Sequence, residues 1–224
     1  SPPAHWIGLQ MTRGFDLRIR AENGAAFDPK RDRYHLLDVD LRVGNKIMDS
    51  SRQLISDTGE EAGHFDFPLP IEFGPLALKT ALWTTIDDAY RSAVRRYIKV
   101  KSESEINVEL EDSSADWSDQ KQSIDVDSTA LKELSEEKVT AWNTEAIRVS
   151  RLLRDNYDLI KSGVLIDFSV SKKTILTTDG TQIQTLRRHH RVAVYAITMA
   201  DDGMQIKVYD YLDVKNETDL PRGD

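Results

Sequence analysis

The only adjacent histidines in the chain, His189 and His190, lie in the basic run Arg187-Arg188-His189-His190-Arg191. Two imidazoles that bind one metal must share a face, and neighbours on a strand point to opposite sides of a sheet. The pair therefore reads as a basic strand edge. His5, His35 and His64 are isolated in sequence. Zinc peptidases place two histidines on one helical face with a glutamate as base, and neither helical pattern in this chain contains a histidine. Candidate catalytic, cofactor-binding and metal residues are none, so the chain by itself is not expected to hydrolyse peptides.

The carboxylate pairs Asp87-Asp88 and Glu111-Asp112 could serve acid–base chemistry or bind calcium. A calcium loop commonly turns at a glycine, and there is none from Glu103 to Asp127. Serine nucleophiles lack a nucleophile elbow or a Ser-x-x-Lys context, and no glycine-rich phosphate loop is present. Asn216-Glu217-Thr218, a glycosylation sequon, and Arg222-Gly223-Asp224, an integrin-type tripeptide, are short enough to arise by chance.

Periodicity supplies the elements that would position any site. Leu78, Leu82, Ile86, Ala89, Ala93 and Tyr97 follow one another at spacings of 4, 4, 3, 4 and 4, one stripe of a helix running from Pro75 to Lys101. Pro75 suits the first turn, Arg91 to Lys99 suit the last turns, and Asp87 and Arg91 form an i,i+4 pair. A second stripe, Val139, Trp142, Ala146, Val149 and Leu153, follows an N-cap at Ser135 and stops near Asn156. A short helix is expected over 128–134.

Elsewhere the period is two. Ile7, Leu9 and Met11, then Phe15, Leu17, Ile19 and Ala21, suggest a hairpin turning at Arg13-Gly14, and Leu37 to Val43 gives a third strand. Residues 45–74 read as an extended connection. Further strands run from Gly163 to the C-terminal region, with hairpin turns at Asp179-Gly180 and Asp202-Gly203. The expected fold is α+β: a mainly antiparallel sheet of about seven strands, two long helices packed on one face, order βββ-α-α-ββββ. One domain over 1–224 is expected, because neither half could easily cover its sheet alone.

The chain has 224 residues, 39% hydrophobic and 30% charged, enough for a substantial core. Its net charge of −8 equals that of residues 103–127, which hold nine acids and one lysine. A neutral body with an acidic loop is a poor partner for nucleic acid. The loop reads as solvated, with Trp117 docking it onto the body or onto a partner. No run approaches the roughly 20 apolar residues of a membrane span. The absence of cysteine leaves the compartment open, the cytoplasm favoured over export.

The string ALWTTIDDAYRSAVRRYIKVKSE followed by ADWSD resembles the N-terminal region of the TldD/PmbA group, zinc metallopeptidases also described as modulators of DNA gyrase. The matching positions are Leu41-Arg42-Val43-Gly44, Ala81-Leu82-Trp83, Asp87, Tyr90 and Lys99 to Lys101. Thr178-Asp179-Gly180-Thr181 resembles the group's serine-acid-glycine turn, with threonine in place of serine. The resemblance implies that zinc is held in a C-terminal domain by a His-Glu-x-x-x-His helix and a later cysteine, neither of which occurs here. Either that domain was removed or the parent is a metal-free partner subunit. The start at Ser1-Pro2-Pro3 and the end just beyond a strand pattern favour removal. The chain would then be the non-catalytic, substrate-positioning N-terminal domain of a dimeric peptidase acting on unfolded or peptide substrates. The rival reading is a free-standing α+β binding module that recruits a basic or aromatic-binding partner through the acidic loop and Trp117.

Overall fold

A computed structural model of the chain describes residues 2–52, 64–70, 72, 74–106, 114–118, 121–157 and 159–221. Glu111-Asp112, Arg222-Gly223-Asp224 and the side chain of His64 lie outside the described residues. The expected α+β class, built on an antiparallel sheet, is the one observed. Eight strands form the sheet: β1 (Ala4–Glu22), β2 (Ala25–Ala26), β3 (Lys30–Val43), β4 (His64–Leu69), β5 (Ile124–Val126), β6 (Lys161–Thr177), β7 (Gln182–Met199) and β8 (Gln205–Val214). The helices are α1 (Pro75–Ile106) and α2 (Glu136–Asn156). Strand order is β4-β3-β1-β6-β7-β5, with β2 pairing β1 and β8 pairing β7. Among the described residues no helix is long and apolar enough to cross a membrane.

The chain divides into two compact units, residues 1–13, 34–128 and 173–185, and residues 14–33, 129–172 and 186–224. In the first, Ala89 and Ala93 of α1 are fully buried with Leu37, Val39, Leu41 and Val43 of β3, and Leu78, Leu82, Ile86 and Tyr97 pack around them. Small residues at the centre of the stripe let the helix approach the strands closely. In the second, Val139, Trp142 and Ala146 of α2 pack on Phe15, Leu17, Ile19, Val164, Ile166 and Phe168. Burying an aliphatic side chain of this kind contributes about 1.5–3 kcal/mol.

Local signals explain the strand junctions. Asn23 (φ 49°) and Gly24 (φ 80°) both lie in the left-handed region. They join Glu22 to Ala25 in register, the two-residue Asn-Gly turn whose twist suits a hairpin. Asp179-Gly180 and Asp202-Gly203 occupy the β6–β7 and β7–β8 turns as expected. Gly44 has φ 118°, and a Cβ there would stand 2.6 Å from both the Met48 carbonyl oxygen and the Tyr97 ring.

Five expectations are corrected. Arg13-Gly14 is no turn: β1 is one strand of 19 residues, because the odd-numbered apolar positions keep their parity through Gly14. The connection over 45–74 contains β4, paired with β3 from His35↔Leu69 to Asp40↔His64. Its Pro68 is accommodated because β4 ends the strand order. Helix α1 runs past Lys101 to Ile106, where Ser104 Oγ donates to the Lys101 carbonyl at 2.8 Å and Lys101 lies 4.0 Å from Glu105. The acidic stretch includes β5, which runs parallel to β7. Residues 128–134 form no helix. The segment is held extended by Asp127 N–H donating to the Gln184 carbonyl and by Lys172 taking the Thr129 carbonyl at 2.8 Å, and so short a helix is not self-sustaining.

Candidate functional site

Strand β7 distributes the basic run across the two faces of its unit. His189 and Arg191 border an outer cleft of about 300 Å3, while Arg188 and His190 border a second cavity beside the start of α2. The two histidines therefore line different spaces, as strand alternation requires.

The outer cleft alternates in sign. Arg18 donates to Asp167 through Nε at 2.7 Å and through an Nη at 3.3 Å. Arg191 grips Asp213 in two contacts of 2.6 and 2.8 Å, and His189 Nε2 lies 3.3 Å from the same carboxylate. These hydrogen bonds push the Arg18 and Arg191 guanidinium groups above their ordinary range and hold Asp213 below the usual carboxylate range. Lys30 and Asp32 also line the cleft and make no ion pair among the described residues. Ser169, His189 and Asp213 are the residue types of a nucleophilic triad, but no hydrogen bond joins Ser169 to His189 among the described residues. Asp213 is already committed to Arg191. An unactivated serine is a weak nucleophile, so the cleft binds charge and does not attack carbonyls. Among the described residues no cluster of His, Cys, Asp or Glu could hold a metal.

Residues weighed from sequence fall elsewhere. Asp87 is paired with Arg91 at 2.9 Å on α1, an exposed i,i+4 pair contributing about 0.3–0.5 kcal/mol. His35 accepts from Arg13 Nε at 3.2 Å and donates from Nδ1 to the Pro70 carbonyl at 3.2 Å. Burial and the neighbouring Arg13 charge push its pKa below the ordinary histidine value. His5 meets Asp49, a carboxylate with no solvent exposure, at 3.0 Å. Asp49 also accepts from Ser51 N–H and Oγ, each at 2.6 Å. Asp116, from the acidic stretch, accepts from Asp49 N–H at 2.8 Å and from Arg52 Nε at 2.8 and 3.1 Å. Trp117 then packs on Trp6, with ring centroids 4.9 Å apart, and on the edge of His5. The part of the acidic stretch around Trp117 docks onto its own unit, which was one of the two expectations for it.

Sequence reasoning did not single out Asp49 or Glu217. Glu217 accepts from Trp142 Nε1 at 2.9 Å and pairs with Lys138. Both carboxylates sit in irregular segments and meet partners 44 and 75 residues away, so no local signal marks them.

No protein-family model and no curated protein sequence matches the chain. Solved structures do. A candidate modulator of a DNA gyrase from Thermotoga maritima aligns over 97% of this chain and 41% of its own, with TM-score 0.55 and 11% identity. A candidate modulator of DNA gyrase from Bacteroides thetaiotaomicron gives 0.61 and 9%, over 97% and 43%. TldE from Thermococcus kodakarensis gives 0.54 and 10%, over 95% and 40%. The chain thus spans about two fifths of the length of these structures. At such identities the likeness is one of fold, and the fold is the one the TldD/PmbA resemblance implied.

Proposed function

We propose that the chain is the non-catalytic N-terminal scaffold of a TldD/PmbA-like metallopeptidase, positioning unfolded or peptide substrates for a zinc centre held in a C-terminal domain of a dimeric parent. The observation that carries this reading is the fold likeness, which takes in 95–97% of this chain but only 40–43% of the similar structures. A folded unit that matches a fraction of a larger protein and holds no activated nucleophile suits a supporting role. The outer cleft, with alternating carboxylates and guanidinium groups, supplies partners for the charged side chains of an extended peptide. Strand β8 supplies an edge: it pairs with β7 on one side only among the described residues, and Met204, Ile206 and Val208 are exposed along it. An extended peptide can add to such an edge through main-chain hydrogen bonds.

The reading is tested on the reading frame that contains this chain. A downstream His-Glu-x-x-x-His segment, stoichiometric zinc and turnover of an unfolded peptide by the longer protein, with no turnover by residues 1–224 alone, is the expected result. Turnover by residues 1–224, or a frame that ends near Asp224, would overturn it. The alternative of a free-standing module recruiting partners through Trp117 is weakened because that side chain already packs on Trp6 and His5.

A further inference from the structure

The cavity beside the start of α2, about 490 Å3 in volume, has a charge balance that differs from the outer cleft. Its acids are already neutralised. Glu133 is held by Arg33 through two contacts of 2.7 and 2.8 Å, and Glu217 by Lys138 and the Trp142 indole N–H. Its cations are not: Lys132 and Arg188 line the cavity and make no ion pair among the described residues. Glu136, in the first turn of α2, is drawn away by Arg31 at 2.7 Å.

Helix α2 adds its own polarity. The Ser135 side chain caps Lys138 N–H at 3.4 Å, and the Val139 N–H donates to the Ser135 carbonyl. The N–H groups of Glu136 and Glu137 precede the first intrahelical bond and are free to meet an external acceptor, at the end of the dipole that favours negative charge. A second, independent observation points to a ligand. His190 borders the same cavity, is only 3% exposed, and its Nδ1 has no hydrogen-bond partner among the described residues. A buried, unsatisfied imidazole nitrogen is costly, and its ring is fixed by packing on Phe168 at 5.3 Å.

We propose that this cavity binds a compact oxyanion, a carboxylate or a phosphate group, between Lys132, Arg188 and the first N–H groups of α2, with His190 at its floor. The proposal is independent of the peptidase reading. It concerns a site on the helix side of β7, apart from the outer cleft and the β8 edge.

The test is an NMR titration of the isotope-labelled 224-residue chain at constant ionic strength, with chloride as the control. The probes are inorganic phosphate, an acetylated dipeptide with a free C-terminal carboxylate, and the same dipeptide amidated. Expected is a saturable shift of the His190 ring and the Glu136 and Glu137 amides, at least tenfold weaker in a Lys132→Gln, Arg188→Gln double variant whose thermal unfolding matches the parent chain. Saturation by phosphate alone assigns a phosphate source. Saturation by the free-acid peptide and not its amide assigns a carboxylate source. Shifts that fail to saturate with any probe, follow chloride, or persist unchanged in the double variant would overturn the site.

Discussion

His5 Nε2 lies 3.0 Å from Oδ2 of Asp49, and that carboxylate has no exposure to solvent. The contact ties the first strand to the loop after β3, and Asp116 ties the acidic stretch to the same loop through the Asp49 N–H and Arg52. A buried carboxylate is tolerable only with its lone pairs satisfied, and here Ser51 and His5 do so.

Removing Asp49 leaves His5, Ser51 Oγ and the Ser51 N–H without their acceptor. Asp49→Ala is expected to cost about 3–5 kcal/mol, as for breaking other buried charge pairs, measured as a fall in the urea midpoint. Asp87→Ala, which breaks only an exposed pair on α1, should change stability by less than about 0.5 kcal/mol. Equal effects would show that burial does not govern the Asp49 contact.

Trp117→Ala removes the packing on Trp6 and the edge contact with His5. A half-buried aromatic pair of this kind contributes about 1–2 kcal/mol. Limited proteolysis should cut the acidic stretch faster in the variant. An unchanged cleavage rate would mean that Trp117 does not hold this segment down.

Gly44→Ala places a methyl group against the Met48 carbonyl and the Tyr97 ring at a φ of 118°. Strain at positive φ and overpacking together should cost about 2–3 kcal/mol, seen as a lowered melting temperature. Gly44 closes the Leu41-Arg42-Val43-Gly44 string on which the family resemblance partly rests, and the geometry gives that glycine a physical reason.

Acid should destabilise the second unit in two steps. Burial pushes the His190 pKa below the ordinary 6.5, and the nearby Arg188 and His189 charges push the same way, against Glu217. The folded state thus disfavours the proton. Its contribution is complete above the unfolded value and declines as pH falls below it. Burial alone would raise Glu217, but hydrogen bonds from Lys138 and Trp142 outweigh it and hold the carboxyl below its ordinary 4.5. That contribution is present above the unfolded value and is lost as pH falls through the folded one. Urea midpoints should therefore drop first below about pH 6.5 and again below about pH 4.5. His190→Gln should shrink the first decline, which His35 shares because burial also lowers its pKa. Glu217→Gln should shrink the second.

The residues by themselves determined the elements whose signal is local. The α1 and α2 stripes, the Ser135 cap and the Asp-Gly turns follow from helical period, side-chain capping and positive φ, each set within a few positions of chain. The opposite faces of His189 and His190 follow from strand geometry alone. Only the tertiary structure decided the rest. Gly14 sits inside a strand because pairing along β1 overrides the turn preference of an isolated Arg-Gly. Strand β4 forms within an irregular connection because β3 offers it a complementary edge. Asp49, Glu217 and the cavity at α2 depend on partners far away in sequence, whose approach is fixed by packing and leaves no mark on the local pattern.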